Sequence, residues 1–282
     1  MKEQACQFGE QRRLSGIVTL PEDDKSRVGL ILISAGLTAK VGPYRLYTEL
    51  ARDVAKTGIC TLRFDLGGIG NSEQIYAGYP LKVRTQLDIT EAADYLESAY
   101  GITNLVVGGL CSGAEDALRY AYDDSRVSGV ILLDGHGYSS SDKKSKPLNG
   151  RTIIRWIGSL LKKLDLYKYV MGSAEESSLE GVQGLVDYQQ MELVESTHIL
   201  NTLIARPAEL LYVYTRRFRH SLTRKEQFAQ MFPQVNFKDQ VTVSCLPHME
   251  HTQVFEEDRR ELVDTISQWL SSRFPQQVLV KE

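Results

Sequence analysis

A Gly-rich turn in the middle of the chain carries residue types that could perform nucleophilic catalysis. The stretch NLVVGGLCSGAEDALR, residues 104–119, changes from an apolar run to a helical pattern at this turn. In a nucleophile elbow of the G-x-S-x-G type, small residues stand two positions before and after the reactive side chain, because the strand and helix backbones approach closely there. Gly109 and Gly113 take those positions around Cys111, whereas centring the turn on Ser112 would place a leucine at one of them. The spacing therefore favours Cys111 as the nucleophile.

The predicted position of the Cys111 thiol, at a helix N-terminus, also favours its reactivity electrostatically. A helix N-terminus presents unpaired N–H groups and the positive end of the helix dipole, and both favour a thiolate over a thiol. Two other interpretations stay open at this point. Cys111 could only pack as a buried cysteine, and Ser112 could be the nucleophile instead.

A cysteine nucleophile needs a base, and histidine is the residue type that most often serves. His251 lies in LPHMEHTQVF, after the last predicted strand and before the last predicted helix, which is the usual place of the base in this order of elements. His248 is a second candidate, and either residue could be a surface loop histidine. The histidines of the chain are His136, His198, His220, His248 and His251.

The group that would orient the imidazole is less obvious. A carboxylate usually follows the penultimate strand, but ELLYVYTRRFRHSLTRKEQF contains no Asp and its first Glu after the strand is Glu226. We expect Asp134, at the end of VILLDG, to take this role, because neighbouring parallel strands open at the same edge of a sheet. Glu250, beside His251, is an alternative, and Asp134 could equally cap the turn at Gly135. A thiolate–imidazolium pair also depends less on such an acid than a serine does.

Acyl transfer further requires two N–H donors for the developing oxyanion. They normally come from the residue after the nucleophile and from the loop after the first parallel strand. The expected donors are the amides of Ser112 and Leu37. Arg45 stands at the start of the next predicted helix, where it could bind a substrate carboxylate or only carry surface charge.

A sheet of parallel strands must position these groups. Apolar runs alternate with amphipathic stretches, which predicts an α/β fold with a mostly parallel central sheet and helices on both faces. The stretch CQFGEQRRLSGIVTLPED predicts an antiparallel hairpin at the sheet edge. The predicted strands are 28–36, 59–65, 104–109, 127–135, 209–215 and 241–247. The predicted helices are 44–57, 81–99, 113–123 and 256–273.

One long region interrupts the alternation of strands and helices. Residues 139–207 show no strand pattern and contain helical patterns near 151–170 and 180–204. An insertion of this length predicts a helical lid on a core domain formed by residues 1–138 and 208–282. Its stretch IIRWIGSLLKKLDLYKYV could line an acyl-chain pocket, a core or the face of a homodimer.

Composition excludes several classes of protein. The formal net charge of −3 is not that of a nucleic-acid binder. The N-terminus lacks the apolar core of a signal peptide, and no segment offers about 18 uninterrupted apolar residues to span a membrane. A cytoplasmic protein is therefore expected. The four cysteines form no C-x-x-C pair, and no motif indicates a metal or a nucleotide, so we expect neither a metal nor a cofactor.

The order of the motifs resembles the α/β-hydrolase superfamily, and within it the exosortase-system-associated hydrolases, which carry a cysteine nucleophile. The resemblance is carried by RFDLGGIGNS, GLCSGA and the closing HT, and it covers nearly the whole chain except residues 139–207. The chain departs from that group at three positions. Ser112 stands where Asp is common, Ser221 stands where the acid would align, and Glu250 replaces the Asp before His251.

The resemblance implies acyl chemistry. Cys111 would attack the carbonyl of a thioester, ester or lactone, and His251 would shuttle the proton. The expected substrate is a small or biosynthetic acyl group, free or bound to a carrier protein or coenzyme A. Release to water would make the protein an esterase or thioesterase, and release to another nucleophile would make it an acyltransferase. The alternatives are a non-catalytic homologue that binds a ligand or partner, and a dienelactone-type or carbon–carbon bond hydrolase.

Overall fold

A mostly parallel sheet of eight strands forms the centre of the part of the chain that the computed structural model describes, residues 1–22, 26–135, 191–218, 222 and 225–275. The strands are β1 (Lys2–Phe8), β2 (Leu14–Leu20), β3 (Val28–Ile33), β4 (Cys60–Phe64), β5 (Asn104–Leu110), β6 (Val127–Leu133), β7 (Glu209–Thr215) and β8 (Val241–Leu246). Their order across the sheet is β1-β2-β4-β3-β5-β6-β7-β8. Strands β3 to β8 run parallel, and β1 and β2 form the antiparallel hairpin at the edge that the sequence predicts.

Helices cover both faces of this sheet. The helices in the described residues are α1 (Leu46–Lys56), α2 (Leu81–Tyr100), α3 (Ser112–Asp123), α4 (Leu193–Ala205), α5 (Lys225–Met231) and α6 (Glu256–Arg273). Every residue of β3 is buried, and its side chains alternate between two apolar clusters. Ile31 and Ile33 pack on the side of α2, α3 and α4, while Leu30 and Leu32 pack on the side of α1 and α6. Burial on both faces explains why the strands are nearly continuous apolar runs.

Two of the predicted strands are shorter than expected, because the backbone turns at their carboxyl ends. Strand β3 ends at Ile33, and the following turn contains Gly36 with φ of 53°. Strand β6 ends at Leu133, and Asp134 has φ of 44°. The residues of chemical interest thus follow the strands rather than belonging to them.

Part of the predicted insertion can be placed. Residues 136–190 lie outside the described residues, and with them the predicted helix at 151–170. Helix α4, within the predicted 180–204 pattern, lies against α3. The Met191 N–H donates to the buried carboxylate of Glu115 at 2.7 Å, and Arg119 pairs with Glu195 at 3.1 Å. Residues 193–205 therefore occupy the layer of crossover helices between β6 and β7.

Two glycines allow α3 to start directly beside the sheet. A Cβ atom on Gly113 would lie inside van der Waals contact of the Ile33 carbonyl oxygen, and one on Gly109 would lie 2.6 Å from the carbonyl carbon of Gly113. Both neighbours are backbone atoms and cannot move aside. This close approach is the reason that the elbow needs small residues at both positions.

We predict that Gly113→Ala destabilises the protein. Alanine favours helix over glycine by about 0.5–1 kcal/mol, but overpacking against a carbonyl costs roughly 1–3 kcal/mol, so the net free energy of unfolding should fall. Urea unfolding measures this free energy. The matched control is Gly78→Ala, since a Cβ atom there meets nothing within 4 Å. Equal unfolding midpoints for the two variants would contradict the prediction.

Candidate active site

Cys111 occupies a strained corner between β5 and α3. Its φ of 56° and ψ of −116° lie in a region that non-glycine residues rarely adopt, at a cost of about 1–3 kcal/mol. The Cys111 N–H donates to the Leu133 carbonyl at 2.8 Å, which ties the corner to the end of β6. The residue is the N-cap of α3, so its thiol lies at the positive end of the helix.

A buried tyrosine holds the same corner from the other side. Tyr47, on α1, accepts the N–H of Leu110 at 2.9 Å and donates its hydroxyl to the Ile33 carbonyl at 2.9 Å. Only 1 % of the side chain is exposed, and burial raises the pKa of Tyr47. The hydroxyl thus stays protonated and joins β3, β5 and α1 where the nucleophile stands.

Asp134 and His251 are joined by a short, largely buried polar contact. Asp134 Oδ2 lies 2.6 Å from His251 Nδ1, and the side chain of Asp134 is completely buried. Thr215, the last residue of β7, donates its N–H to Asp134 Oδ1 at 2.7 Å and its hydroxyl to Oδ2. A carboxylate that accepts these bonds is fixed in place, and it can orient the imidazole with its other nitrogen, Nε2, toward the sulfur.

Arg217 contributes a positive charge that the sequence did not predict. It belongs to the 3-10 turn Arg216–Phe218 that follows β7. Its Nη1 donates to Cys111 Sγ at 3.2 Å and lies 3.1 Å from His251 Nε2. The guanidinium therefore contacts both the expected nucleophile and the expected base.

These contacts change the ionisation of both groups. Burial disfavours the thiolate, but the hydrogen bond with His251 and the charge of Arg217 outweigh burial and lower the pKa of Cys111. Burial also disfavours the imidazolium, but hydrogen bonds with Asp134 and Cys111 raise the pKa of His251 to about 9. Both shifts favour a thiolate beside an imidazolium.

The two expected oxyanion donors lie on segments that touch. The Gly36 N–H donates to Ser112 Oγ at 3.1 Å, which joins the residue before Leu37 to the residue after Cys111. Leu37 lies in the turn closed by the Thr38 N–H and the Ala35 carbonyl, at 2.9 Å. In the described contacts the hydroxyl of Ser112 meets this loop, whereas the thiol of Cys111 meets Arg217.

A buried aspartate in the FDLGGIGNS stretch fixes that loop. Asp65 is fully buried and accepts the Lys40 N–H at 2.6 Å, the Lys40 ammonium at 2.5 Å and the Asn71 N–H at 3.0 Å. The loop after β3 is thus tied to the loop after β4. Arg45 lies at the end of the loop after β3, exposed and with φ of 68°, directly before α1.

The remaining candidates are engaged elsewhere. His248 pairs with Glu261 at 2.8 Å, and Glu250 pairs with Arg216 at 2.6 Å. His198 meets the hydroxyl of Tyr122 at 3.0 Å. His136, His220 and Ser221 lie outside the described residues. Among the described residues, no group of three His, Cys, Asp or Glu side chains could hold a metal ion, and no helix is long and apolar enough to cross a membrane.

Comparisons with known proteins identify the fold. No family model and no curated protein matches the chain. An esterase of Pyrococcus furiosus is 14 % identical over 96 % of this chain and 91 % of that chain, with a TM-score of 0.63. A lidless α/β serine hydrolase of Xanthomonas campestris is 15 % identical over 98 % and 97 %, with a TM-score of 0.59. A dienelactone hydrolase of Anabaena variabilis is 12 % identical over 96 % and 97 %, with a TM-score of 0.59. The chain has the α/β-hydrolase fold.

We predict that Asp134→Asn lowers the pKa of His251 well below its value of about 9. The substitution removes the carboxylate that stabilises the imidazolium, which leaves the hydrogen bond with Cys111 to oppose burial and the charge of Arg217. Titration of the imidazole signals by NMR measures this. The signals of His248, which pairs with Glu261 on the surface, serve as the control within the same spectra. An unchanged midpoint for His251 would show that Asp134 does not set its ionisation.

Proposed function

We propose that this protein is a cysteine-dependent acyl hydrolase that cleaves esters or thioesters through a covalent thioester on Cys111. The observation that carries the proposal is the contact of Arg217 Nη1 with both Cys111 Sγ and His251 Nε2, together with the hydrogen bond of His251 to the buried carboxylate of Asp134. A nucleophile, a base and an orienting acid gathered in this way are what covalent acyl transfer requires.

The first half of the reaction forms the acyl-enzyme. The Cys111 thiolate attacks the substrate carbonyl carbon, and a C–S bond forms while the carbonyl electrons move onto oxygen. Collapse of this oxyanion breaks the bond to the leaving alkoxide or thiolate. The Nε2–H of His251 gives its proton to that leaving group, so the imidazole ends neutral.

The second half releases the acyl group. Neutral His251 takes a proton from water as the water oxygen attacks the thioester carbon. The tetrahedral intermediate collapses, the C–S bond breaks, and Cys111 leaves as a thiolate. The free acid departs, and the thiolate–imidazolium pair is restored. Asp134 holds the same imidazole tautomer and orientation through both halves.

The backbone around the nucleophile suits the negative charge that develops on oxygen. Ser112 is the first residue of α3, so its amide lies at the helix N-terminus. The amide of Leu37 lies in a loop whose Gly36 is hydrogen-bonded to Ser112. Preorganised N–H donors of this kind are each worth about 10²–10³ in rate. The tie between Asp65 and Lys40 keeps the second donor's loop in position.

Cys111 rather than Ser112 is the proposed nucleophile, although structures of similar fold include a serine hydrolase. Cys111 has the strained backbone and touches the same Arg217 Nη1 atom as His251 does, and the resemblance to cysteine-dependent hydrolases points to the same residue. An ester, a thioester or a lactone satisfies this chemistry equally. A carrier-bound acyl substrate, acyl transfer to another nucleophile and a homodimer stay predictions.

We predict that an activated acyl ester leaves an acyl adduct on Cys111. Intact-protein mass spectrometry after incubation with a p-nitrophenyl ester, followed by peptide mapping, locates the adduct. Cys111→Ala should abolish it. His251→Ala should slow its turnover by about 10²–10⁴, the usual contribution of a general base.

The matched control is Cys6→Ala, which should keep the adduct, because burial raises the pKa of the Cys6 thiol. An adduct that survives in Cys111→Ala but disappears in Ser112→Ala would assign the reaction to the serine. Absence of any adduct, with Cys111 no more reactive than Cys6, would favour a binding protein built on this fold.

A further inference from the structure

Arg217 lies two residues beyond β7, in the 3-10 turn that follows the strand. The contacts of its Nη1 atom are specific to one ionisation state of each partner. A guanidinium only donates, so its bond to Cys111 is strongest when the sulfur is a thiolate. Its contact with His251 Nε2 is a hydrogen bond only when that nitrogen is unprotonated. The arginine therefore favours an anionic sulfur and a neutral imidazole.

The net charge of the site at each stage explains why a permanent cation favours the reaction. In the resting pair, the thiolate and Asp134 are negative while the imidazolium and Arg217 are positive, so the four groups are neutral together. In the acyl-enzyme the sulfur carries no charge, and a neutral His251 leaves Asp134 and Arg217 balanced. Without the arginine, the lone charge of Asp134 would draw a proton onto His251 and remove the base that must activate water.

The charged groups that act on the sulfur and the imidazole come from separate elements. Asp134 follows β6 and Arg217 follows β7. The neutral hydroxyl of Tyr47, on α1, reaches the same corner and accepts the Leu110 N–H. Arg216, the neighbour of Arg217, points instead to the exposed carboxylate of Glu250 at 2.6 Å. Adjacent arginines thus offer a matched pair for experiment, since both are exposed and only Arg217 touches the reacting atoms.

We propose that Arg217 is a catalytic residue that serves both halves of the reaction: it stabilises the Cys111 thiolate before acylation and keeps His251 neutral in the acyl-enzyme. The inference rests on the proposed function. It differs from a role in substrate binding alone, because it concerns the ionisation of the enzyme's own groups at each stage.

The test compares the pH dependence of two reactions in Arg217→Gln, Arg217→Lys and Arg216→Gln. Alkylation of Cys111 by iodoacetamide reports the thiolate without any catalytic turnover. The steady-state rate after the p-nitrophenol burst reports deacylation. In Arg217→Gln we expect the midpoint of each profile to move about 1 pH unit or more upward, with at least a tenfold slower deacylation near neutral pH and recovery at alkaline pH.

The other variants complete the test. Arg217→Lys should restore much of the wild-type midpoints, and Arg216→Gln should leave both profiles unchanged. Slower rates in Arg217→Gln with unmoved midpoints would overturn the inference, because loss of structure lowers rates without shifting ionisation. If the wild type alkylates rapidly but gives no burst, the proposed function fails on its own. If alkylation midpoints match in Arg217→Gln and wild type, the inference fails independently.

Discussion

The close packing of the turn at Cys111 against the end of β3 is the constraint on which the rest of the site depends. Gly113 lies so near the Ile33 carbonyl that no side chain fits between them, and Tyr47 bonds both that carbonyl and the N–H before the cysteine. The Cys111 N–H is anchored to the end of β6. A strained backbone conformation persists because neighbouring elements hold it from several sides.

The same edge of the sheet gathers the charges that the chemistry needs. Asp134 follows β6 and lies beside Thr215, the last residue of β7. His251 lies in the loop after β8, and its imidazole contacts Asp134. A buried carboxylate is costly unless its oxygens are bonded, and here both are occupied. Its hydrogen bond raises the pKa of His251, and the charge of Arg217 helps to lower the pKa of Cys111. The positions of these groups are therefore set by the ends of parallel strands.

The sequence predicted most of the strands and helices that form this edge. The glycine spacing pointed to the corner at Cys111, and the shared edge of parallel strands gave the expectation that Asp134 lies near His251. The sequence did not predict the contact of Arg217, because the neighbouring arginines after β7 are of the same residue type. Only the 3-10 turn directs their side chains toward different partners. Thr215 was missed for a similar reason, since a threonine ending a strand gives no sign of its partner.

A crystal structure of the His251→Ala variant, solved after reaction with an activated acyl ester, would test most directly whether Cys111 is the nucleophile. Loss of the base should leave the acyl group trapped. We expect a thioester bond from Cys111 Sγ to the acyl carbon, with the carbonyl oxygen hydrogen-bonded to the amides of Leu37 and Ser112. An acyl group on Ser112 Oγ, or an unmodified Cys111 beside a bound intact ester, would contradict it.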